Sequence, residues 1–122
     1  MALTSTKHGS AVRFKVVVDS AVTSAAIAPN VTGNPGRLFA VRVDNSKDAS
    51  NAVYVKIYDT LAPTLGTTYP CLVLKVAAAA TKTFQIPYGL EYDSLSVSVT
   101  GVADPIGTGN PQSSTGVHLT CS

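Results

Sequence analysis

The chain has 122 residues, the length of one typical domain. Hydrophobic residues make up 45% of it and charged residues only 13%, well below the usual share of about 25%. This composition excludes a disordered chain and a coiled coil, and a net charge of +2 is too small to predict a nucleic-acid partner.

The first ten residues are polar and predict an N-terminal arm, which precedes a single domain over residues 11–122. The arm has no apolar segment like that of a secretory signal. No later stretch approaches the roughly 20 apolar residues that span a membrane. We therefore expect synthesis in a cytoplasm and no membrane partner.

Apolar and polar residues alternate along most of the chain, which is typical of half-buried β-strands. The pattern predicts seven or eight short strands around residues 12–18, 39–43, 53–57, 72–76, 84–86, 95–99 and 117–119, with a weaker stretch at 21–27. The six side chains expected in the core are Val55, Ile57, Leu74, Phe84, Val97 and Val99.

Turn residues separate these strands, and no helical period lies between them. The four alanines at 77–80 favour a helix by propensity, but an isolated helix of that length does not nucleate. We interpret them as a turn. The spacing therefore predicts an all-β chain folded as an antiparallel sandwich or barrel.

Residues 44–48, with the sequence DNSKD, resemble the start of a calcium-binding loop. Such a loop needs Gly at its sixth position and Glu at its twelfth, where this chain has Ala49 and Val55. A hairpin loop is the better interpretation.

The few reactive side chains do not form a catalytic pattern. His118 is expected on the polar side of the last strand, and its spacing from Cys121 places the two on opposite faces. Cys71 and Cys121 are predicted to be reduced and mostly buried. Glu91 and Asp93 lie beside a turn, where acids are usually solvated. We predict no enzyme, no cofactor and no metal site.

Tyrosines are the most suggestive polar residues. Tyr54 and Tyr58 share the side of their strand that Lys56 occupies, and Tyr69, Tyr88 and Tyr92 lie in or next to loops. Tyrosine can pack half-buried, anchor a protein interface or stack on bases, and stacking normally needs a basic groove. The candidate interface residues are Tyr54, Tyr58, Tyr69, Pro70 and Tyr92.

Charge is unevenly distributed along the chain. All nine Lys and Arg residues lie between Lys7 and Lys82, whereas the charges that follow are Glu91, Asp93 and Asp104. Opposite signs of this kind suit contacts between neighbouring copies of an assembly. Chance placement in a chain with few charges is the alternative interpretation.

The order of several segments carries a resemblance. The segments are VYVKIYD at 53–59, APTLGTTYP at 62–70, LVLKV at 72–76, TKTFQIPYGL at 81–90 and LSVSVT at 95–100. Together they resemble a group of small virion proteins of tailed bacteriophages over residues 52–122. The alanines at 77–80 depart from the Pro/Gly turn that these proteins tend to have there.

The resemblance implies an antiparallel β-sandwich of jelly-roll type and a structural role in the virion. The best-fitting role is a capsid decoration or cement protein that stabilises the head by bridging major capsid subunits. Such a protein contacts the major capsid protein or other virion proteins and is often a homo-oligomer, with a trimer favoured. A tail, neck or head-fibre component is one alternative. A carbohydrate- or receptor-binding module is another, since jelly rolls also host those functions.

Overall fold

The computed structural model of the chain describes residues 4–7 and 15–122. Within this part, strands form two antiparallel sheets and no helix is present. The strands are β1 (Thr4–Lys7), β2 (Lys15–Val22), β3 (Gly36–Asp44), β4 (Val53–Asp59), β5 (Leu72–Val76), β6 (Thr81–Tyr92), β7 (Leu95–Thr100) and β8 (Thr115–Cys121). The predicted all-β class is confirmed, and the two sheets are consistent with the predicted sandwich.

The strands follow different orders in the two sheets. The larger sheet has the order β1-β2-β8-β3-β6, and the smaller sheet has the order β5-β4-β7. The segment between β2 and β3 joins the smaller sheet through one bridge, in which Ala28 N donates to Val97 O at 2.8 Å and Val97 N donates to Ala28 O at 3.0 Å. The connection at 77–80 is only four residues long, so it brings β5 and β6 to the same side of the sandwich.

The core lies between the sheets and consists mainly of valine and leucine. Its members from β4 and β7 include Val55, Ile57, Val97 and Val99, as predicted. The other two expected core residues, Leu74 and Phe84, are only half-buried. They lie on β5 and β6, the outermost strands of their sheets, where fewer neighbours cover a side chain.

A β-bulge at Phe39 changes the predicted alternation of β3. The pairing of β3 with both β6 and β8 shifts between Leu38 and Ala40, so Phe39 is an extra residue. Leu38 therefore faces the core together with Val41, and the prediction that Phe39 shares the phase of Val41 is wrong.

The same shift reshapes β6. Its pairing passes from Leu90, opposite Leu38, to Gln85, opposite Ala40, so residues 86–89 bulge out of the ladder. The expected turn at 87–89 is therefore an excursion within one long strand.

The remaining predictions have mixed outcomes. Residues 4–7, expected in the polar arm, pair with β2, while 1–3 and 8–14 lie outside the described residues. The turn at 77–80 is confirmed, and Ala79 takes a positive φ of 59° within it. Residues 44–48 run from the end of β3 into the loop before β4, but these two strands lie in different sheets, so the loop crosses between the sheets and the predicted hairpin is wrong. Cys121 is buried, but Cys71 is exposed, contrary to the prediction for that thiol.

Candidate interaction surface

The polar groups of the larger sheet's outer face meet around His118. This residue is paired with Val18 on one side and Arg42 on the other, and Asp19 and Asp44 line the same shallow pocket. Hydrogen bonds from Ser46, and then from Thr81, hold the pKa of Asp44 below its ordinary value. No group of three His, Cys, Asp or Glu side chains in the described part of the chain is arranged to hold a metal ion. The positive charge of Arg42 is opposed by the nearby carboxylates of Asp19 and Asp44, and we interpret this pocket as ordinary solvated surface.

The outer face of the smaller sheet is covered, although its residues are polar. Lys56 on β4 has no exposed surface, because residues 101–111 fold over it. Its Nζ donates to Asp104 O at 2.6 Å and to Gly107 O at 3.2 Å. Desolvation lowers the pKa of Lys56, and the nearby Asp104 carboxylate opposes this effect.

The serines of β7 complete this buried polar layer. Ser98 Oγ donates to Ala25 O at 2.7 Å, and Ser96 Oγ donates to Thr60 O at 2.7 Å. Both serines have no exposed surface. Every one of these hydroxyls has a partner, as buried polar groups require. Lys56, Ser96 and Ser98 therefore belong to the interior and are closed to other molecules.

The structure divides the five predicted interface residues. Tyr69 is 70% exposed, while Tyr54 and Pro70 are half-buried. Tyr58 and Tyr92 are only 1% and 2% exposed, so they cannot contact a partner of the folded chain. Burial also raises the pKa of Tyr92 to about 12. The prediction is wrong for these two tyrosines, because loops and the facing sheet cover positions that the sequence pattern places at a surface.

The bulge of β6 holds a tyrosine that the prediction left out. Tyr88 is 91% exposed and has a positive φ of 66°. Its carbonyl oxygen accepts a hydrogen bond from Arg37 Nη1 at 3.0 Å. Gly89 follows with a φ of 79°, and a Cβ there would lie 2.8 Å from Arg37 Cβ and 2.9 Å from Phe39 Cε1. Only glycine fits this position, so the backbone fixes the place where Tyr88 projects.

A bulky residue at positive φ is costly, on the order of 1–3 kcal/mol. Such strain is often found where a side chain must be presented for contact. A shallow groove beside Tyr88 is lined by Phe39, Ala40, Gln85, Ile86, Pro87 and Thr120. We take Tyr88 and this groove as the candidate interaction surface. The sequence signal for this surface is Pro-Tyr-Gly at 87–89, since Pro and Gly favour a turn and turns usually lie at the protein surface.

A second exposed apolar region lies in the connection between β4 and β5. Leu61 is 62% exposed there, and Tyr69 lies in the same connection. Thr60 N donates to Ser94 O at 3.0 Å, which places the start of this connection beside the turn between β6 and β7. The exposed apolar side chains thus fall on loops and bulges, outside the regular strands.

No protein-family model matches the chain, and no curated protein or solved structure is significantly similar to it. Among the residues that the structure describes, no helix is long and apolar enough to cross a membrane.

Proposed function

We propose that this chain is a structural protein of a bacteriophage virion, and specifically a capsid decoration protein that bridges major capsid subunits. The observation that carries the proposal is the presentation of exposed apolar side chains on a small two-sheet frame. Tyr88 is fixed by Arg37 and Gly89, and Leu61 and Tyr69 project from a neighbouring connection. Tyrosine is enriched in the energetically important centres of protein interfaces. The order of sequence segments over residues 52–122 supports the assignment to virion proteins.

We also propose that the sandwich is a jelly roll. A jelly roll can be described as one long hairpin whose first strand pairs with the last, the second with the last but one, and so on inward. The observed pairs β2–β8, β3–β6 and β4–β5 fit this scheme. The remaining pair of the scheme joins its second strand to β7. Here that second strand is reduced to the single bridge between Ala28 and Val97. In this scheme β1 is an additional strand at the edge.

The surface chemistry is suited to contact with a protein shell. The chain has few charges, so burying its surface desolvates few ions. The exposed Leu61, Tyr69 and Tyr88 offer apolar area without a basic groove for nucleic acid. A decoration protein of this kind would add stability to the head by joining neighbouring subunits.

Purified virions of the phage that encodes the chain test this proposal. Heads and tails are separated and probed for the protein by mass spectrometry, and a cryo-EM map of the head is searched for the sandwich between capsid subunits. We expect the protein on heads, and heads that lack it should break at lower temperature. Detection only on tails or necks would replace the decoration role with a tail or neck role. Absence from washed virions would reject the virion proposal.

A second function is favoured by the exposed aromatic rings of Tyr69 and Tyr88. Exposed tyrosines can stack on sugar rings, and jelly rolls include many lectins. A glycan array with the purified protein distinguishes this function. Binding that Tyr88→Ser abolishes would make the chain a carbohydrate-binding module.

A further inference from the structure

The loop that covers Lys56 contains the one Asp-Pro sequence of the chain, at Asp104 and Pro105. Both residues are exposed, and they begin a tight turn that ends at Gly107. In this turn Gly107 N donates to Asp104 O at 2.8 Å. Asp, Pro and Gly occupy the positions that they favour in a type I turn. The peptide bond between Asp104 and Pro105 is therefore held in a defined conformation at the surface.

The carbonyl group of this peptide bond has a second donor, which an ordinary turn lacks. Lys56 Nζ donates to Asp104 O at 2.6 Å, from a side chain with no exposed surface. An ammonium group bonds a carbonyl oxygen more strongly than a neutral donor does, and burial strengthens the bond further. A backbone amide and a buried ammonium group thus meet at one carbonyl oxygen. This is the arrangement of an oxyanion hole, whose donors stabilise the negative charge that develops on an attacked carbonyl.

The glycine at position 107 allows this close approach. A Cβ atom there would clash with Val102 Cγ2 and lie 3.1 Å from Asp104 O. Any other residue would push the turn away from the ammonium group, which also donates to Gly107 O at 3.2 Å. The local sequence is therefore suited to holding both donors on the Asp104 carbonyl.

The side chain of Asp104 supplies a nucleophile for its own carbonyl group. Its Oδ1 accepts a hydrogen bond from Ile106 N at 3.1 Å, which keeps the carboxyl group beside the turn. Its other oxygen accepts no hydrogen bond from the described residues, and the side chain is open to water. Carboxylates act as nucleophiles in many enzymes. A nucleophile that belongs to the same residue as the carbonyl has a very high effective concentration.

We propose that the bond between Asp104 and Pro105 is a site of self-cleavage, in which Lys56 Nζ and Gly107 N stabilise the transition state. A carboxyl oxygen of Asp104 attacks the backbone carbonyl carbon of the same residue, and the new C–O bond closes a cyclic anhydride. The C–N bond to Pro105 breaks, and the carboxyl proton passes to the proline nitrogen. Water then opens the anhydride and leaves a free carboxyl group at the new chain end.

The cleaved protein is expected to stay folded. The new carboxylate at Asp104 lies beside Lys56, so it pairs with a buried ammonium group that has only carbonyl partners in the intact chain. Strand β8 lies beyond the cleaved bond, but it remains hydrogen-bonded between β2 and β3. The cut therefore becomes visible only when the chain is denatured. The proposal stands independently of the virion role.

Intact-mass spectrometry of the full chain, denatured after incubation in a mildly acidic buffer, tests the proposal. We expect two fragments, residues 1–104 and 105–122, whose masses sum to that of the intact chain plus one water. The same chain unfolded in urea has the same peptide bond without the two donors, and it should be cleaved at least about tenfold more slowly. No cleavage of the folded chain, or equal rates for the folded and unfolded chains, would overturn the proposal.

Variants of the donor test the oxyanion hole. Lys56→Met removes the charged donor and should slow cleavage at least about tenfold. Lys75→Met, at an exposed lysine on β5, should leave the rate unchanged. Cleavage of folded Lys56→Met at the wild-type rate would overturn the role of the ammonium group. If circular dichroism shows this variant unfolded, the comparison of folded and unfolded wild type decides.

Variants of the cleaved bond test the cyclisation. Asp104→Glu keeps the charge but needs a larger ring, and Pro105→Ala replaces the tertiary amide of proline with an ordinary one. Both positions are exposed, so both variants should fold, and neither should show detectable cleavage. Cleavage of Asp104→Glu at the wild-type rate would indicate a contaminating protease and overturn the proposal. None of these results depends on whether the protein is found in virions.

Discussion

The outer faces of the two sheets differ more in their surroundings than in their residues. On the smaller sheet, Lys56, Tyr58 and Ser98 point away from the core and are nevertheless buried. On the larger sheet, Arg42 and Thr83 also point away from the core, and they are exposed. The loop that follows β7 and the segment around Ala25 cover the first face, and no described segment covers the second.

This difference explains how a lysine can be buried on the smaller sheet. Loop carbonyls accept the hydrogen bonds of Lys56, and the carbonyl of Ala25 accepts that of Ser98. The covering segments therefore bring hydrogen-bond acceptors to a face that would otherwise be solvated. The outer face of the smaller sheet is thereby largely buried, and the larger sheet keeps an outer face that no described segment covers, with the groove beside Tyr88 on it.

Of the substitutions that test the difference between the two outer faces, Tyr58→Ala on the covered face should have the largest effect. Truncating an aromatic ring that is 1% exposed should lower the free energy of unfolding by about 3–5 kcal/mol, because it leaves a cavity in the buried layer. Thr83→Ala on the open face should change it by less than about 0.5 kcal/mol. Urea unfolding of both variants measures the difference. Similar losses for the two would mean that the faces are equally covered.

The alternation of apolar and polar residues predicted the strands well, because it indicates which side of a strand each residue occupies. Val53, Val55 and Ile57 face the core for this reason. Alternation does not show what lies against the other side of the strand, so Tyr58 was expected at an interface and is found buried, with 1% of its surface exposed. Contacts between residues far apart in sequence, such as that of Lys56 with Gly107, decide this point and leave no local pattern.

Local backbone irregularity limited the prediction of the site in a different way. One extra residue at Phe39 moves Leu38 into the core and displaces residues 86–89 on the neighbouring strand. The Pro-Tyr-Gly sequence predicted a turn, and the strand pairing is indeed interrupted there. It could not show that Tyr88 would project from the middle of β6, because the strand resumes at Leu90.

Within β6, Tyr92 contrasts with Tyr88, since burial raises the pKa of Tyr92 to about 12 from an ordinary value of 10.0. The neutral phenol therefore contributes stability that is complete below pH 10.0 and is lost as the pH rises to about 12. Tyr92→Phe has no such proton to lose. Over this range the wild type should lose about 2–3 kcal/mol more than the variant. Denaturant unfolding at a series of pH values checks this, and parallel curves would contradict it.

A smaller effect is expected for the buried hydroxyl of Ser98. Ser98→Ala removes the 2.7 Å hydrogen bond to Ala25 O and leaves that carbonyl without this donor. The free energy of unfolding should fall by about 1–2 kcal/mol. Thr120→Ala, on the open face of the larger sheet, is the matched control and should cost less than about 0.5 kcal/mol. If thermal melts show the same loss of stability for Ser98→Ala and Thr120→Ala, the hydrogen bond from Ser98 to Ala25 does not stabilise the fold.

Lys56 gives the most specific test of the covered face, through the direction of a pH effect. Desolvation lowers its pKa below 10.5, so the unfolded chain binds more protons at this residue than the folded chain does. The penalty for burying the charge is complete at low pH and disappears as the pH rises toward 10.5. The wild type should therefore gain stability relative to Lys56→Met as the pH rises toward 10.5, with Tyr92 common to both proteins and cancelling. Lys75→Met, at an exposed lysine on β5, should show no such gain. If the two lysine variants behave alike, the loop over Lys56 opens often enough for water to solvate its ammonium group.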